Sequence, residues 1–340
     1  MIKTSKRIHP HIRAGRYYNF PGEVVEGFIY HTVHTYVKSL FQGNHKTPAT
    51  LSHWISHEKH FFASSQPRIT WLGHSTFLIQ IGNINILTDP IFGNASFLYP
   101  RILPVGIKPA QLPRIDCVLI SHNHHDHMDT ASLMLLKEHE NALFLVPAGD
   151  KAWFDSRGFG QVREYMWWQQ DLLNIMGRQM RMTFLPAHHW SQRGLFDKNR
   201  SLWGSWMIEC DGYTIYFAGD TAYGEHFLQI ADEFPAIDVA LMPIGPCLPR
   251  AWMRGSHVGP HEAGQAFLDL RAQNFIPMHW GTFAFGVDAF DTPITMLAQW
   301  WAEQKAQLGL KQLHLLPVGK ACSPEPMMRF GIDQQPVVHV

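Results

Sequence analysis

Apolar residues come in short bursts separated by turn residues along most of the chain, and the first long series begins at Arg68. The stretch RITWLGHSTFLIQIGNINILTDP is rich in β-branched and aromatic residues, and Gly82-Asn83 interrupts two of its apolar runs. This pattern predicts a β-hairpin or meander that ends at Asp89-Pro90. IDCVLI, residues 115–120, is a short apolar run and predicts a buried strand. Asp129 or Thr130 is placed to cap a helix over ASLMLLKEHE, and ALFLVP is expected as the strand after it. Farther on, QMRMTFLPAHHW, LWGSWMIEC, YTIYFAGD and IDVALMPIG predict strands, each running into a loop of polar or turn residues. GEHFLQIADEF, GPHEAGQAFLDLRAQ and PITMLAQWWAEQKAQ have helical spacing instead. Strands alternating with helices imply an α/β fold whose sheets are covered by helices. The first 65 residues, with NFPGE and FQGNHKTPATLSHW, mix short apolar pieces with turn residues and are expected to form an accessory segment.

Composition narrows the class. A length of 340 residues suits one large α/β domain with extra terminal segments. Hydrophobic residues are 46% and charged residues 16%, which is globular rather than disordered. Lys plus Arg equals Asp plus Glu, at 28 each, so no nucleic-acid partner is expected: phosphate backbones are gripped by clustered basic side chains. Cys117, Cys210, Cys247 and Cys322 are far apart, which predicts free thiols in a reducing cytoplasm. The N-terminal stretch is basic without the apolar core of a secretory signal, and no apolar run reaches about 18 residues. A soluble, cytoplasmic chain is expected, with enough Trp and Phe for an apolar surface that sits peripherally on a membrane.

The chemistry concentrates in SHNHHDHMD, Ser121 to Asp129, directly after the IDCVLI strand. His122-x-His124-x-Asp126-His127 is not the helical H-E-x-x-H pattern. Adjacent Asp126 and His127 would face opposite ways on a strand, so a loop is needed to aim both inward. In such a loop His122 and His124 reach one metal while Asp126 and His127 reach another. Imidazoles with carboxylates suit zinc and equally iron or manganese. Two metals need further ligands, and candidates stand after later strand-like runs: His188 and His189 in LPAHHW, Asp220 in FAGDT, and His279 in IPMHWGTF. Loops at one edge of a layered sheet can converge there. His9, His11, His53, His57 and His60 carry no such pattern.

With these residues in view, the chain resembles the metallo-β-lactamase superfamily and, within it, is similar to the N-acyl-phosphatidylethanolamine-hydrolysing phospholipase D family. The matching words run in order from about Arg68 to Phe285: WLGHSTFLIQ, LTDPIF, LISHNHHDHMD, MWWQQ, PAHHWSQRGLFDKNRSLWGSW, FAGDTAY, PIGPCLPRAWM, HVGPHEA and MHWGTFAF. The resemblance implies an αββα sandwich of two mixed sheets flanked by helices over residues 66–340. It implies two zinc ions, one held by His122, His124 and His189, the other by Asp126, His127 and His279, with Asp220 between them. His189, directly before the Trp, matches the family's ligand, and His188 then supports it from behind. His125 and His257 are implied as substrate contacts, and a homodimer is implied as the assembly. Three positions depart from the family: His125, where animal members have Tyr, and Gly259 and His261, where the pattern is the acidic HVDPEEA.

A metal pair lowers the pKa of a bridging water toward neutrality and polarises a phosphoryl or carbonyl oxygen. Asp126 is placed to orient that water and handle its proton, Asp220 to bridge, and His257 to stabilise negative charge. The expected function is a dinuclear zinc hydrolase of phospholipase D type, acting on N-acyl-phosphatidylethanolamine or a related phospholipid. A lactonase or other small-ester or phosphodiester hydrolase is the alternative, since the fold does not fix the substrate. A non-catalytic metal-binding interaction protein would have lost ligands, and every expected ligand is present.

Overall fold

The computed structural model describes residues 7–19, 50–57, 67–139 and 141–327. His60 and most of NFPGE and FQGNHKTPATLSHW lie outside these. A short ribbon, β1 (His11–Arg13) and β2 (Arg16–Tyr18), precedes two seven-stranded sheets. The first contains β3 (Arg68–Gly73), β4 (Thr76–Ile81), β5 (Ile84–Thr88), β6 (Cys117–Leu119), β7 (Leu143–Pro147) and β8 (Val162–Tyr165). The second contains β9 (Gln170–Ile175), β10 (Arg178–Leu185), β11 (Ser205–Cys210), β12 (Tyr213–Phe217), β13 (Val239–Pro243), β14 (Asn274–Met278) and β15 (Gln312–Leu313). β16 (Ala321–Cys322) returns to pair with β3 in the first sheet.

Both sheets are mixed. β3, β4 and β5 form the expected meander, and Gly82 and Asn83 both take positive φ, as a tight hairpin turn requires. β5 to β8 are then parallel. In the second sheet β9 to β12 are antiparallel and β12 to β15 parallel. Side chains alternate across each strand, so one strand feeds two cores. Phe77, Ile79 and Ile81 of β4 join Met182 and Phe184 of β10 and Trp206 of β11 between the sheets. Leu78 joins Leu87, Val118 and Phe144 beneath α1 (Thr130–Leu136) and α2 (Lys151–Asp155) on the outer side.

The remaining helices are α3 (His226–Glu233), α4 (Arg250–Met253), α5 (Pro260–Asp269), α6 (Thr292–Glu303) and α7 (Lys305–Leu308). α5 packs on β13 and α6 and closes the outer face of the second sheet. The result is the αββα sandwich. No helix among the described residues is long and apolar enough to cross a membrane. All four cysteines are unpaired.

Elements differ from the sequence expectation mainly at their ends. The helix expected over ASLMLLKEHE starts one residue earlier and stops at Leu136, with Asp129 as its cap accepting from Ser132 N at 2.8 Å. β8 and β9 have polar faces, with alternating exposure in Gln170–Ile175, and their weak apolar signal left them unpredicted.

The topology brings one set of strand ends together. β3 runs in the same sense as β5 and β6, and β10 in the same sense as β12, β13 and β14. The C-terminal ends of β3 and β6 therefore share one edge of the first sheet, and those of β10, β12 and β14 share one edge of the second, where crevices of open α/β sheets form. Gly219, just after β12, marks how closely the two edges meet: a Cβ there would lie 2.5 Å from Ser121 Cβ.

Asp150, the residue before α2, ties the loop after β6 from behind. Its Oδ1 accepts from Asn123 Nδ2 at 3.0 Å and Ser201 Oγ at 2.7 Å. Its Oδ2 is buried without a partner. Burial raises this carboxyl to about 7, against the Ser201 and Asn123 hydrogen bonds. The folded value lies above the ordinary 3.8, so the native state binds the proton more tightly than the unfolded chain. Stability from this group is therefore fully present below about pH 4 and is lost as the pH rises through about 7. Asp150→Asn copies the protonated acid. Its stability is expected to exceed the wild-type value by more at pH 8 than at pH 5, the difference growing by about 1–3 kcal/mol and showing as a larger gap in melting temperature. Thermal melts at the two pH values check this, and a gap independent of pH would sink it.

Candidate metal centre

The loop after β6 folds into a single turn, in which His127 N and Met128 N both donate to His124 O, at 3.1 and 2.9 Å. That turn is what lets neighbouring Asp126 and His127 face the same centre. His122 Nε2 lies 2.8 Å from His124 Nδ1, and His189 Nε2, from the end of β10, lies 3.3 Å from that same nitrogen. His127 Nε2 is 3.3 Å from Asp126 Oδ2 and 3.3 Å from Asp220 Oδ2. His279, which follows β14, puts Nε2 3.0 Å from Asp220 Oδ2 and 3.9 Å from Asp126 Oδ2. Asp220 also lies 3.9 Å from His189 Nε2 and 3.6 Å from His257 Nδ1. All seven residues expected as ligands thus converge, and Asp220 stands between the two groups.

The hydrogen-bond network assigns the ring protons. His189 Nδ1 faces the carbonyl of Ser256 at 2.8 Å and must donate to it, leaving Nε2 bare. His127 Nδ1 lies 2.7 Å from Asp89 Oδ2, which assigns the proton to Nδ1. Ser121 Oγ donates to Asp89 Oδ2 at 2.5 Å, so His122 Nδ1, 2.9 Å from that hydroxyl, donates to it in turn. His124 Nδ1 faces both bare nitrogens: with a proton it donates to His122 Nε2, and without one three lone pairs meet, the form a cation would bind. His124 Nε2, His127 Nε2, His279 Nε2, His257 Nδ1 and Asp220 Oδ1 are all buried without a hydrogen-bond partner. Such groups are rare in folded proteins, and their clustering fits a cation-binding set.

Charge follows the same logic. Burial, then neighbouring imidazoles, hold His122 and His124 well below the ordinary histidine value. Burial brings His189 down to about 4 and His257 to about 3. These rings are neutral at physiological pH, the form that binds metal. Burial would raise Asp126 and Asp220, but His127, with His74 and His279, pulls both well below the carboxylate range. Burial also opposes charge on His127, yet Asp220 and Asp126 prevail and push it well above its ordinary value. Two ionised carboxylates, Asp220 buried and Asp126 partly so, demand positive charge. A proton on His127 supplies one unit, and divalent cations answer all the facing groups at once.

Of the other sequence candidates, His257 borders the cluster beside His189 and Asp220, and His125, His188 and His261 fall outside it. His125 is exposed, with Nε2 3.1 Å from Arg193 O. His188 is buried near His226, and its backbone N–H donates to Thr221 Oγ1 at 2.9 Å. His257 is half-buried, its ring 5.2 Å from His189 and 5.5 Å from His279. His261 is exposed on the first turn of α5. Glu262 accepts from Gly259 N at 3.1 Å and pairs with Arg250, whose guanidinium also donates to His257 O at 2.7 Å.

Three supporting residues were not singled out from the sequence. Asp89, fully buried, braces His127 and Ser121, and a carboxylate behind a ligating histidine fixes its tautomer and orientation. Its signal in the sequence is an Asp that ends an apolar strand in LTDP, a pattern that a turn explains equally well. Asn19 brackets His189, donating from Nδ2 to His189 O at 2.9 Å and accepting from His189 N at 3.2 Å. Nothing in the sequence pointed to it. His74, within WLGHSTF, places Nε2 3.0 Å from Asp126 Oδ2.

A model of the β-lactamase superfamily domain matches residues 84–280. The chain is 33% identical over 242 residues to N-acyl-phosphatidylethanolamine-hydrolyzing phospholipase D 1 of Caenorhabditis elegans, covering 68% of each protein. It is 35% identical over 241 residues to the mitochondrial N-acyl-phosphatidylethanolamine-hydrolyzing phospholipase D of Saccharomyces cerevisiae, covering 68% of this chain but only 52% of that one. Igni18, a metallo hydrolase from Ignicoccus hospitalis, has the same fold, with a TM-score of 0.58 at 22% identity over 76% of this chain and 97% of its own. On these matches the chain belongs to the metallo-β-lactamase superfamily of metal-dependent hydrolases and, within it, to the family of N-acyl-phosphatidylethanolamine-hydrolysing phospholipase D-like proteins.

Proposed function

We propose that this chain is a dinuclear zinc phosphodiesterase that cleaves N-acyl-phosphatidylethanolamine or a related glycerophospholipid in phospholipase D fashion. The observation that carries the proposal is the meeting of imidazole nitrogens with the carboxylates of Asp126 and Asp220, with Asp220 shared between both groups. His122, His124 and His189 would hold one ion, Asp126, His127 and His279 the other, and Asp220 both. When bound, such ions supply Lewis acidity and lower the pKa of water toward neutrality. The chain's own groups do the rest. Asp126, whose side chain is 18% exposed while that of Asp220 is 2% exposed, is the carboxylate placed to exchange a proton with solvent. His257 is neutral and has an unpartnered Nδ1, so its ring is available to a phosphate oxygen as a hydrogen-bond donor rather than as a cation.

Support for a lipid substrate comes from the named relatives and from apolar loop tips. Phe97, Leu195 and Phe196 are almost fully exposed. The loop of Leu195 and Phe196 is anchored to the metal-binding turn through Arg193, which donates to Asn123 O at 3.0 Å and Met128 O at 2.7 Å. Exposed apolar groups mounted beside a site suit peripheral contact with a lipid surface. A homodimer in the cytoplasm completes the reading.

Turnover of a panel by the zinc-loaded protein tests the substrate: N-acyl-phosphatidylethanolamine, phosphatidylcholine, an acyl-homoserine lactone and a generic phosphodiester. Release of phosphatidic acid from the first is expected, and lactone cleavage without phospholipid cleavage would overturn the reading. His122→Ala and Asp220→Asn are each expected to lower bound metal below two per chain and activity by at least about 100-fold. Metal analysis beside kinetics checks this, and full metal content with full activity would refute the dinuclear centre. His257→Ala is expected to keep both metals while kcat falls about 100-fold. Loss of metal in that variant would make His257 a ligand instead.

A further inference from the structure

His74 lies outside every role assigned so far, yet it is fixed more heavily than most of the centre. It follows β3 at an irregularity in the β3–β4 pairing, where the register shifts between Trp71 and Gly73. Gly73 and His74 both have positive φ, 107° and 55°. A bulky residue in the left-handed region is strained and persists only when its surroundings hold it there. They do. His74 N donates to Thr282 Oγ1 at 2.6 Å, and His74 O accepts from Trp71 Nε1 at 2.9 Å and from His279 N at 3.2 Å. The main chain of His74 is thereby bonded to the segment that carries His279. Its ring is 99% buried and lies 4.1 Å from the His279 ring, 5.0 Å from His127 and 5.1 Å from Phe283.

The side chain has one polar partner on show, Asp126 Oδ2 at 3.0 Å. A carboxylate only accepts, so His74 Nε2 carries the proton and donates. That oxygen is the one that faces His127 and His279. Asp126 is also the carboxylate with a way out, since its side chain is 18% exposed whereas Asp220 is enclosed. His74 Nε2 faces Asp126, whereas the Nε2 atoms of His127 and His279 each face both Asp126 and Asp220.

We propose that His74 is a positioning residue: its Nε2–H tethers Asp126 inside the centre and so builds the second cation site, while its main chain locks that site to the His279 segment. This rests on the dinuclear reading above. A second-layer hydrogen bond to a ligating group typically changes metal affinity 10–100-fold.

The test is metal titration of the apo protein against a chromophoric chelator, with cobalt spectra of the loaded protein, for wild type, His74→Ala, His74→Asn and His74→Gln. Asn tolerates positive φ but is too short to place a donor where Nε2 sits, whereas Gln reaches it. We expect Ala and Asn to weaken the second cation by about 10–100-fold and leave the first unchanged, with Gln restoring most of the loss. Asn and Ala variants that bind both ions as wild type does would overturn the role. So would a Gln variant as weak as Ala whose cobalt spectrum has lost a nitrogen donor, since His74 would then be a ligand. A wild type that takes up fewer than two cations overturns the dinuclear reading and this role together. Should the His74 variants fail to fold, Thr282→Val, which removes the hydrogen bond to His74 N and leaves the ring, is expected to weaken the second cation several-fold. No change there overturns the proposal.

Discussion

Two carboxylates and a ring of imidazoles share one small space at the centre of this molecule. Ring nitrogens of five histidines and the oxygens of Asp126 and Asp220 each lie about 3–4 Å from another member of the group. Imidazoles hold both carboxylates well below their ordinary range, and Asp126 and Asp220 push His127 well above its own, so the arrangement depends on each ring being gripped from behind in the right orientation. The grips are visible. Asp89 holds His127, Ser121 holds His122, the Ser256 carbonyl holds His189, and Asn19 clamps the His189 main chain. Burial opposes charge on Asp126, Asp220 and His127, so the two cores and the groups behind the rings hold the site together, and cations are a species that would answer the carboxylates and the facing nitrogens at once.

Topology makes the meeting possible. Each sheet is part parallel and part antiparallel, and that mixture turns the C-terminal ends of β3, β6, β10, β12 and β14 to one crevice. The cost appears in the backbone. His74, Asp89 and His279 all sit at positive φ, which side-chain-bearing residues rarely adopt, and Gly219 is where the two sheet edges touch. Strain gathers at the site because there the chain must leave a strand abruptly and still aim a side chain inward.

This division explains what was legible in the sequence. The β-branched runs gave β3 to β7 and β10 to β13 because buried strands are continuously apolar, and they placed the H-x-H-x-D-H loop at a strand end. β8 and β9 were hidden because half of each faces solvent. At the site, His122, His124, Asp126, His127, His189, Asp220 and His279 were all named as candidates, and all converge in space. The groups behind them were missed for a common reason. Asp89, Asn19 and His74 act through distant pairings of 38, 170 and 52 residues, and no local pattern encodes such a partner. Asn19 shows the limit best: the N-terminal segment was expected to be accessory, yet one of its side chains holds a residue at the centre.

The same geometry separates the converging residues, which face one another, from the groups at the rim, where the chain departs from the family pattern. His125 occupies such a place, but it is turned outward onto Arg193 O, and Arg193 at once braces the metal-binding turn and carries the apolar Leu195–Phe196 tip. On the opposite side, Gly259 leaves Glu262 as the acidic partner of Arg250, and that pair supports the carbonyl of His257. Of the three departures from the family pattern, His125 meets the loop that carries Leu195 and Phe196, Gly259 meets the acidic partner of Arg250, and His261 is exposed on α5; none of them belongs to the seven residues that converge.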